Sequence, residues 1–499
     1  GVATLIMAVG SARSLLETRN AYYERYDFAD IFAEVRRAPR SVLEEIRRID
    51  GVAVADARIS KLAVLDIPGL REPATGRFVS LPDRGEPVLN KLYMKAGRRP
   101  EPNRVDEVVV SESFATAHRF EPGSQFAAIL NGRKRTLAVV GIALSPEFIY
   151  AVGPGDVMPD DRRFGVVWMP ERSLAAIYDL EGAFSSLYVK LSSVADERDV
   201  MSQIDGKLAR YGGTAAFGRK DQTSHAWLDH ELDMLRNMSR TLPPIFLLVS
   251  AFLVNLTLTR LVALEREQIG LLKALGFSNG AVAAHYAKFV AVIVLAGIVI
   301  GSVAGTLLGV FITRMFGDFF RFPFLMFEKT PDLYVIAGVL SLIAALLGAM
   351  RALREVVTLP PAIAMKPPAP PMFHHVVPLL GRVDRWLSQR VIMMARNLAH
   401  HPLRALFTLL GLSLSTAILI VSLFTRGTMD ELIDVTYFMA DRQDATLSFP
   451  ERKSVTALYD VGRLPGVVAA EPYREVPVRI RKGNVERRIL LSGRPRDAH

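Results

Sequence analysis

Residues 265–280, EREQIGLLKALGFSNG, sit between two apolar runs that are each long enough to cross a bilayer, at 242–264 and 281–316. This short, charged, amphipathic link constrains the fold more than any other stretch. Two membrane helices so closely joined form a hairpin, and the link must dock on something or lie exposed at the lipid surface. Further apolar runs at 331–352 and 403–425 predict two more crossings. The opening GVATLIMAVGS (1–11) is about half the length that a span needs, and is expected to be the end of a truncated first membrane helix.

Half of the 499 residues are hydrophobic, yet 22% are charged, a balance that predicts a membrane protein with large water-exposed parts. A net charge of +10 would suggest nucleic-acid binding in a soluble chain. Here the basic residues mark cytoplasmic loops instead, and no nucleic-acid partner is expected. Between positions 351 and 404 stand Arg351, Arg354, Lys366, Arg382, Arg385, Arg390 and Arg396, against Glu355 and Asp384. The excess of positive charge places this segment in the cytoplasm. Alternation then puts 265–280 on the same side and sends 12–241 and 426–499 outside, giving a multi-pass protein of the plasma (inner) membrane. The chain contains no cysteine, which excludes disulfides, thiolate metal sites and cysteine nucleophiles.

The region 12–241 reads as an α+β domain. Valine-rich segments at 105–118, 135–144 and 163–170 alternate with helical stretches such as SLAAIYDL. Candidate stalk helices flank it: Leu228, Leu235 and Leu242 recur every seven residues with Met238 between, and Leu15/Tyr22 and Leu16/Tyr23 do the same at the other edge. These either pair with each other or pack on their own domain. A weak internal repeat aligns 43–59 with 458–474, matching Leu43 to Leu458, Ile46 to Val461, Arg48 to Arg463, Ile49 to Leu464 and Gly51 to Gly466. It predicts the incomplete start of a second external domain over 426–499, with further sequence at both ends. The expected fold is therefore an integral membrane α-helical bundle with an α+β extracytoplasmic domain inserted after the first helix, and the start of a second copy at the C-terminus. Gly297, Gly301, Gly305 and Gly309 repeat every four residues and predict a close helix–helix approach, within one chain or between two copies.

The order Glu265, Arg266, Glu267, Ile269, Gly270, Leu272, Lys273, Ala274, Leu275, Gly276 resembles the coupling helix that FtsX/MacB-family permeases present to their ATPase subunit. SESFA with Glu121, Pro122, Gly123, Asn131, Gly132 and VVGI resembles the family's MacB-type core domain. Arg396, Asn397, Pro402 and Arg404, within the cytoplasmic Pro-rich linker and amphipathic helix (353–402) and the start of the next span, resemble its membrane-surface element, whose arginines face anionic lipid. The resemblance implies a cytoplasmic ABC ATPase partner carrying ATP and Mg, a possible periplasmic adaptor, contact with membrane lipid, and a homo- or heterodimer of permeases. Its implied work is mechanotransmission for export or for lipoprotein or lipid release, with 265–280 carrying the motion. On this reading, aspartate at Gly270 and Leu272 abolishes ATPase stimulation and leaves insertion intact.

Catalytic and metal motifs are lacking. No phosphate loop of the form GxxxxGK followed by Ser or Thr occurs, so this chain is expected to be no enzyme and to hold no cofactor or metal of its own. His225 and His230, near Asp229 and Glu231, are five apart and read as solvated polar residues. The His374/His375 and His400/His401 pairs and Asp160/Asp161 read as surface groups. Asn255, Thr257 and Thr259 are polar within a span, but no charged path crosses the membrane, which disfavours a secondary transporter. The remaining alternative is a membrane scaffold that regulates an extracytoplasmic enzyme without transport.

Overall fold

The computed structural model of the chain describes residues 1–70, 72–154, 156, 158–326, 331–365, 402–440, 442–447, 449, 453–482 and 485–495. The chain divides into two compact units: residues 7–239, 307–329 and 449–499, and residues 1–6, 240–306 and 330–448.

In the first unit, a four-stranded antiparallel sheet is begun by β1 (Ile31–Pro39), α2 (Arg40–Arg47) and β2 (Val52–Arg58), the helix α1 (Val2–Arg25) preceding it. It is completed more than 100 residues later by β10 (Ala183–Leu191), α5 (Glu197–Leu208) and β11 (Phe217–Gly218), in the order β11-β1-β10-β2. The helices bury one stripe each, Val42, Leu43 and Ile46 from α2 and Val200, Ile204 and Leu208 from α5, against Ile31, Ala33, Phe184, Leu187 and Val189.

The intervening residues form β3 (Ser60–Asp66), β4 (Ala74–Leu81), β5 (Tyr93–Gly97), β6 (Glu107–Ser111), α3 (Glu112–His118), β7 (Gln125–Leu130), β8 (Arg133–Leu144), β9 (Phe164–Pro170) and α4 (Glu171–Tyr178). Six of these strands close on themselves, β8-β6-β9-β4-β3-β7 and back to β8. The length of β8 permits the closure, because residues 133–138 pair with β7 while 138–143 pair with β6. Closure leaves those strands no free edge. Every residue of β6 (EVVVS) and β9 (FGVVWMP) is buried, which explains why both read as continuous apolar runs rather than alternating ones. Gly141 meets the backbone of β5 here, and a Cβ on it would lie 2.4 Å from the Arg98 carbonyl oxygen.

A third cluster gathers Leu15, Tyr22 and Tyr23 of α1 with Leu228 and Leu232 of the helix α6 (Thr223–Leu264), together with Phe28, Tyr150 and Phe320. The two helices are also tied by Arg19–Asp229 at 2.6 Å and by Tyr23 Oη to His225 Nδ1 at 3.0 Å. Both arrangements the heptads left open are present: α1 and α6 meet each other and also pack on Phe28 and Tyr150 of their own unit, with Met238 42% exposed. His225 is buried, not solvated, because the tyrosine supplies its partner. Among the described residues no group of His, Asp and Glu could hold a metal ion.

The second unit contains most of the apolar helix: the C-terminal part of α6, then α7 (Arg266–Ala274), most of α8 (Asn279–Phe319), α9 (Pro331–Thr358), α10 (Pro361–Ala364) and α11 (Pro402–Asp434). Among the described residues, four helices are long and apolar enough to cross a membrane: α6, α8, α9 and the Thr408–Asp434 part of α11. The run 1–11 is the beginning of α1, which is not among the four. At 42 residues α6 is about 63 Å long, roughly twice a bilayer core, so its span carries a long polar extension in the same helix. Asn255 of α6 donates to the Gly348 carbonyl of α9 at 2.7 Å, and a Cβ on Gly348 would lie 2.2 Å from the Ala251 carbonyl oxygen. A polar bond and a small residue thus fix the closest approach of these two helices.

Near the C-terminus, α12 (Thr456–Gly462) is followed by the hairpin β12 (Arg474–Lys482) and β13 (Val485–Gly493). The turn after α12 repeats the turn after α2. Arg48 and Arg463 cap the two helices at φ −90° and −88°, and Gly51 and Gly466 follow at φ +95° and +91°. Ile49 N–H donates to Ile46 at 3.0 Å, as Leu464 N–H does to Val461 at 3.0 Å.

Candidate functional site

Glu265 departs from helical geometry at ψ +15° and separates α6 from α7. At the other end Gly276 adopts φ +95°, and the Gly276 and Phe277 N–H groups donate back to the Lys273 and Leu272 carbonyls at 3.1 and 3.2 Å. A left-handed residue ends the helix here, and glycine takes that conformation without a Cβ penalty. The segment is thus a two-turn helix with defined ends.

One face of α7 is bound to the rest of its unit. Ile269 is fully buried among Leu258, Val262, Val282, Tyr286 and Val356, and Leu272 packs on the same cluster. Gly270 lies against α10: a Cβ on it would come within 2.7 Å of the Ala364 Cβ and 3.2 Å of Met365 Cγ. Lys273 Nζ donates to the carbonyls of Val356, Val357 and Leu359 at 2.6, 3.0 and 2.8 Å. The ammonium therefore satisfies the last, otherwise open carbonyls of α9 and complements the negative end of its dipole. Partial burial lowers the pKa of Lys273. Arg266 Nη2 donates to the Ile363 carbonyl at 2.9 Å, and Glu265 Oε2 accepts from Tyr286 Oη at 2.6 Å.

The opposite face is open. Leu271 is 54% exposed, Leu275 69% and Phe277 55%, with Glu267, Gln268, Ala274 and Gly276 exposed beside them. Of the ten residues expected to contact a partner, Glu265, Arg266, Ile269, Gly270, Leu272 and Lys273 hold the segment in place. Glu267, Ala274, Leu275 and Gly276 face outward. Gln268, Leu271 and Phe277 are exposed with them and were not among the ten, though the helical spacing of Leu271 and Leu275, four apart, puts both on one face. Aspartate at Gly270 or Leu272 would strike the inner face, so those substitutions do not isolate a partner contact.

The glycine series is used unevenly. Gly301 and Gly305 lie against the first turn of α1, where added Cβ atoms would be 2.9 Å from Val2 Cβ and 2.8 Å from the Ala3 carbonyl oxygen. Gly309 accepts a hydrogen bond from Ser11 Oγ at 3.2 Å, whereas Gly297 has nothing within 4 Å. Arg396, Asn397 and the histidines at 374, 375, 400 and 401 lie outside the described residues, as does the linker beyond residue 365. Pro402 begins α11 and is exposed; Arg404 follows within that helix.

Residues 241–361, which include α7 and its clamps to α9, match the model of the FtsX-like permease C-terminal family. The chain carries an FtsX-like permease domain. No curated protein matches the chain. Among solved structures it is similar to the extracellular domain of the noncanonic ABC-type transporter YknZ from Gram-positive bacteria, at 14% identity and TM-score 0.26, covering 38% of this chain and 98% of that one. It is also similar to the periplasmic region of MacB from Actinobacillus actinomycetemcomitans, at 12% identity and TM-score 0.27, covering 42% and 95%. A domain of a putative permease from Porphyromonas gingivalis shows 11% identity and TM-score 0.23, covering 37% and 83%.

Proposed function

We propose that this FtsX-like permease is the membrane subunit of an ABC transporter, which couples ATP hydrolysis by a separate cytoplasmic ATPase to movement of its α+β domain. The observation that carries the reading is the two-faced α7. One face is anchored to α9 and α10, and the other offers Leu271, Leu275 and Phe277 to a partner. A helix that only joined two spans would need no such brace. ATP and Mg belong to the partner, since this sequence has no phosphate loop. The basic segment 351–404 after α9 supports a cytoplasmic α7 and an α+β domain outside the membrane.

The α6 helix includes both residues packed on the α+β domain, Leu228 and Leu232, and residues packed beside α7, Leu258 and Val262, with Pro243 and Pro244 between them. One helix thus contributes to both packed clusters, with the two prolines as the place where it can bend, and mechanotransmission for export or lipid or lipoprotein release is the reading we adopt. The repeated helix and turn at 456–467 supports a second α+β copy beginning in this region.

A fluorophore on Val194→Cys, an exposed site in a chain without native cysteine, tests the motion. In the complex with its ATPase, ATP should change the probe's anisotropy and ADP should not. An unchanged signal during continued hydrolysis would favour the scaffold that regulates an external enzyme without moving.

A further inference from the structure

The ATPase reading fixes one half of a contact surface, and the packing around Gly270 supplies another half that lies in a different part of the chain. Following α9, Pro360 and Pro361 set the backbone of α10, whose Ala364 rests on Gly270 with no room for a side chain between them. Ala364 is fully buried, while its neighbours Ile363 and Met365 are 53% and 50% exposed. The Ile363 carbonyl is held by Arg266, and the end of α9 that leads into α10 is held by Lys273.

We infer that Ile363 and Met365 join Leu271, Leu275 and Phe277 in one composite docking surface for the ATPase subunit, so that the partner grips the end of α9 as well as the α6–α8 hairpin. This rests on the ATPase reading and extends it to residues outside the coupling helix. Three observations argue for a protein occupant. The two apolar patches are on helices in direct contact. They are preformed, α7 by its anchored inner face and the turn at Gly276, α10 by its prolines, so that little ordering entropy opposes docking. Both lie beyond the ends of their apolar spans, beside Arg266, Glu267 and Gln268, where a water-soluble subunit has access. A partner seated on both would push α9 and the hairpin as one body. A partner seated on α7 alone would load α9 through the packing of Ile269 on Val356 and the bonds of Lys273, and would not touch α10 itself.

The lack of native cysteine makes a thiol test direct. Single variants Leu271→Cys and Ile363→Cys, in the full chain reconstituted in lipid vesicles, would be labelled with a water-soluble maleimide with and without the purified ATPase. The inference expects both thiols to react freely without the ATPase and both labelling rates to fall about tenfold with it, as for residues inside a water-excluding interface. Protection at 271 with unchanged labelling at 363 would overturn the composite surface and leave the ATPase reading standing. Protection at neither site would overturn both. A thiol at 363 already unreactive in vesicles without the ATPase would assign α10 to the lipid surface and overturn the inference.

Discussion

Replacing Leu271 and Leu275 together by aspartate should weaken binding of the ATPase subunit without harming the permease. Complete burial of a leucine side chain contributes about 1.5–3 kcal/mol, scaled here by the fraction each still exposes. Leu271 has 54% of its surface left to bury and Leu275 has 69%. Docking on both is thus worth about 2–4 kcal/mol, and its loss should raise the Kd by about 30- to 1,000-fold. Titration of a labelled ATPase against the chain in nanodiscs would measure this, with Val194→Asp, at a 94% exposed site on the α+β domain, as the control. Melting temperature and membrane insertion of the double variant should match wild type, because neither side chain belongs to the buried cluster around Ile269. A Kd within twofold of wild type, with both variants folded, would refute the outward-face argument. Gly270→Asp and Leu272→Asp should instead lower the melting temperature as well, since they enter the packed face.

Glu107 is almost fully buried, pairs with Arg98 at 2.7 Å, and its pKa is lowered from 4.5 to about 2 by the hydrogen bonds from Arg98, with the Glu101 N–H assisting. A carboxylate with a depressed pKa in the folded state stabilises above its unfolded value and loses that contribution as the pH falls towards 2. The melting temperature should decline across this window, and Glu107→Gln should remove part of the decline; a parallel curve would contradict it. Gly165→Ala places a Cβ 2.6 Å from the buried Phe114 ring and should cost about 1–3 kcal/mol in denaturant unfolding. Gly206→Ala, exposed within α5 with nothing nearby, should gain about 0.5–1 kcal/mol. In the glycine series, Gly305→Val should destabilise the detergent-solubilised protein by about 1–3 kcal/mol through its clash with Ala3, while Gly297→Val should leave its melting temperature unchanged.

Membrane helices were legible because length and apolarity alone decide them, and α7 because charge interrupts two such runs. The strands around 107–111 and 164–170 were legible as valine-rich blocks. Their closure into a barrel was not, since it depends on β8 serving two partners along one strand, a non-local fact. Likewise the order of Glu265 to Gly276 marked the link between α6 and α8 without showing which side is free. That depends on α10, whose prolines looked like the start of a linker and whose Ala364 fills the space left by Gly270. Gly348 escaped notice for the same reason: one glycine has no periodicity, and its role appears only beside Ala251. The five residues matched between 43–59 and 458–474 include Gly51 and Gly466, which both take positive φ just after a helix, where glycine is common.

The central claim, that this FtsX-like permease domain works with a separate ATPase, is tested most directly by gentle solubilisation of the full-length protein from its native membrane. The purified material would then be assayed for ATP hydrolysis. The account predicts a co-purifying subunit that hydrolyses ATP and is lost from the Leu271→Asp/Leu275→Asp variant. Recovery of the intact permease with no ATP hydrolysis, under conditions that keep other membrane complexes together, would contradict it.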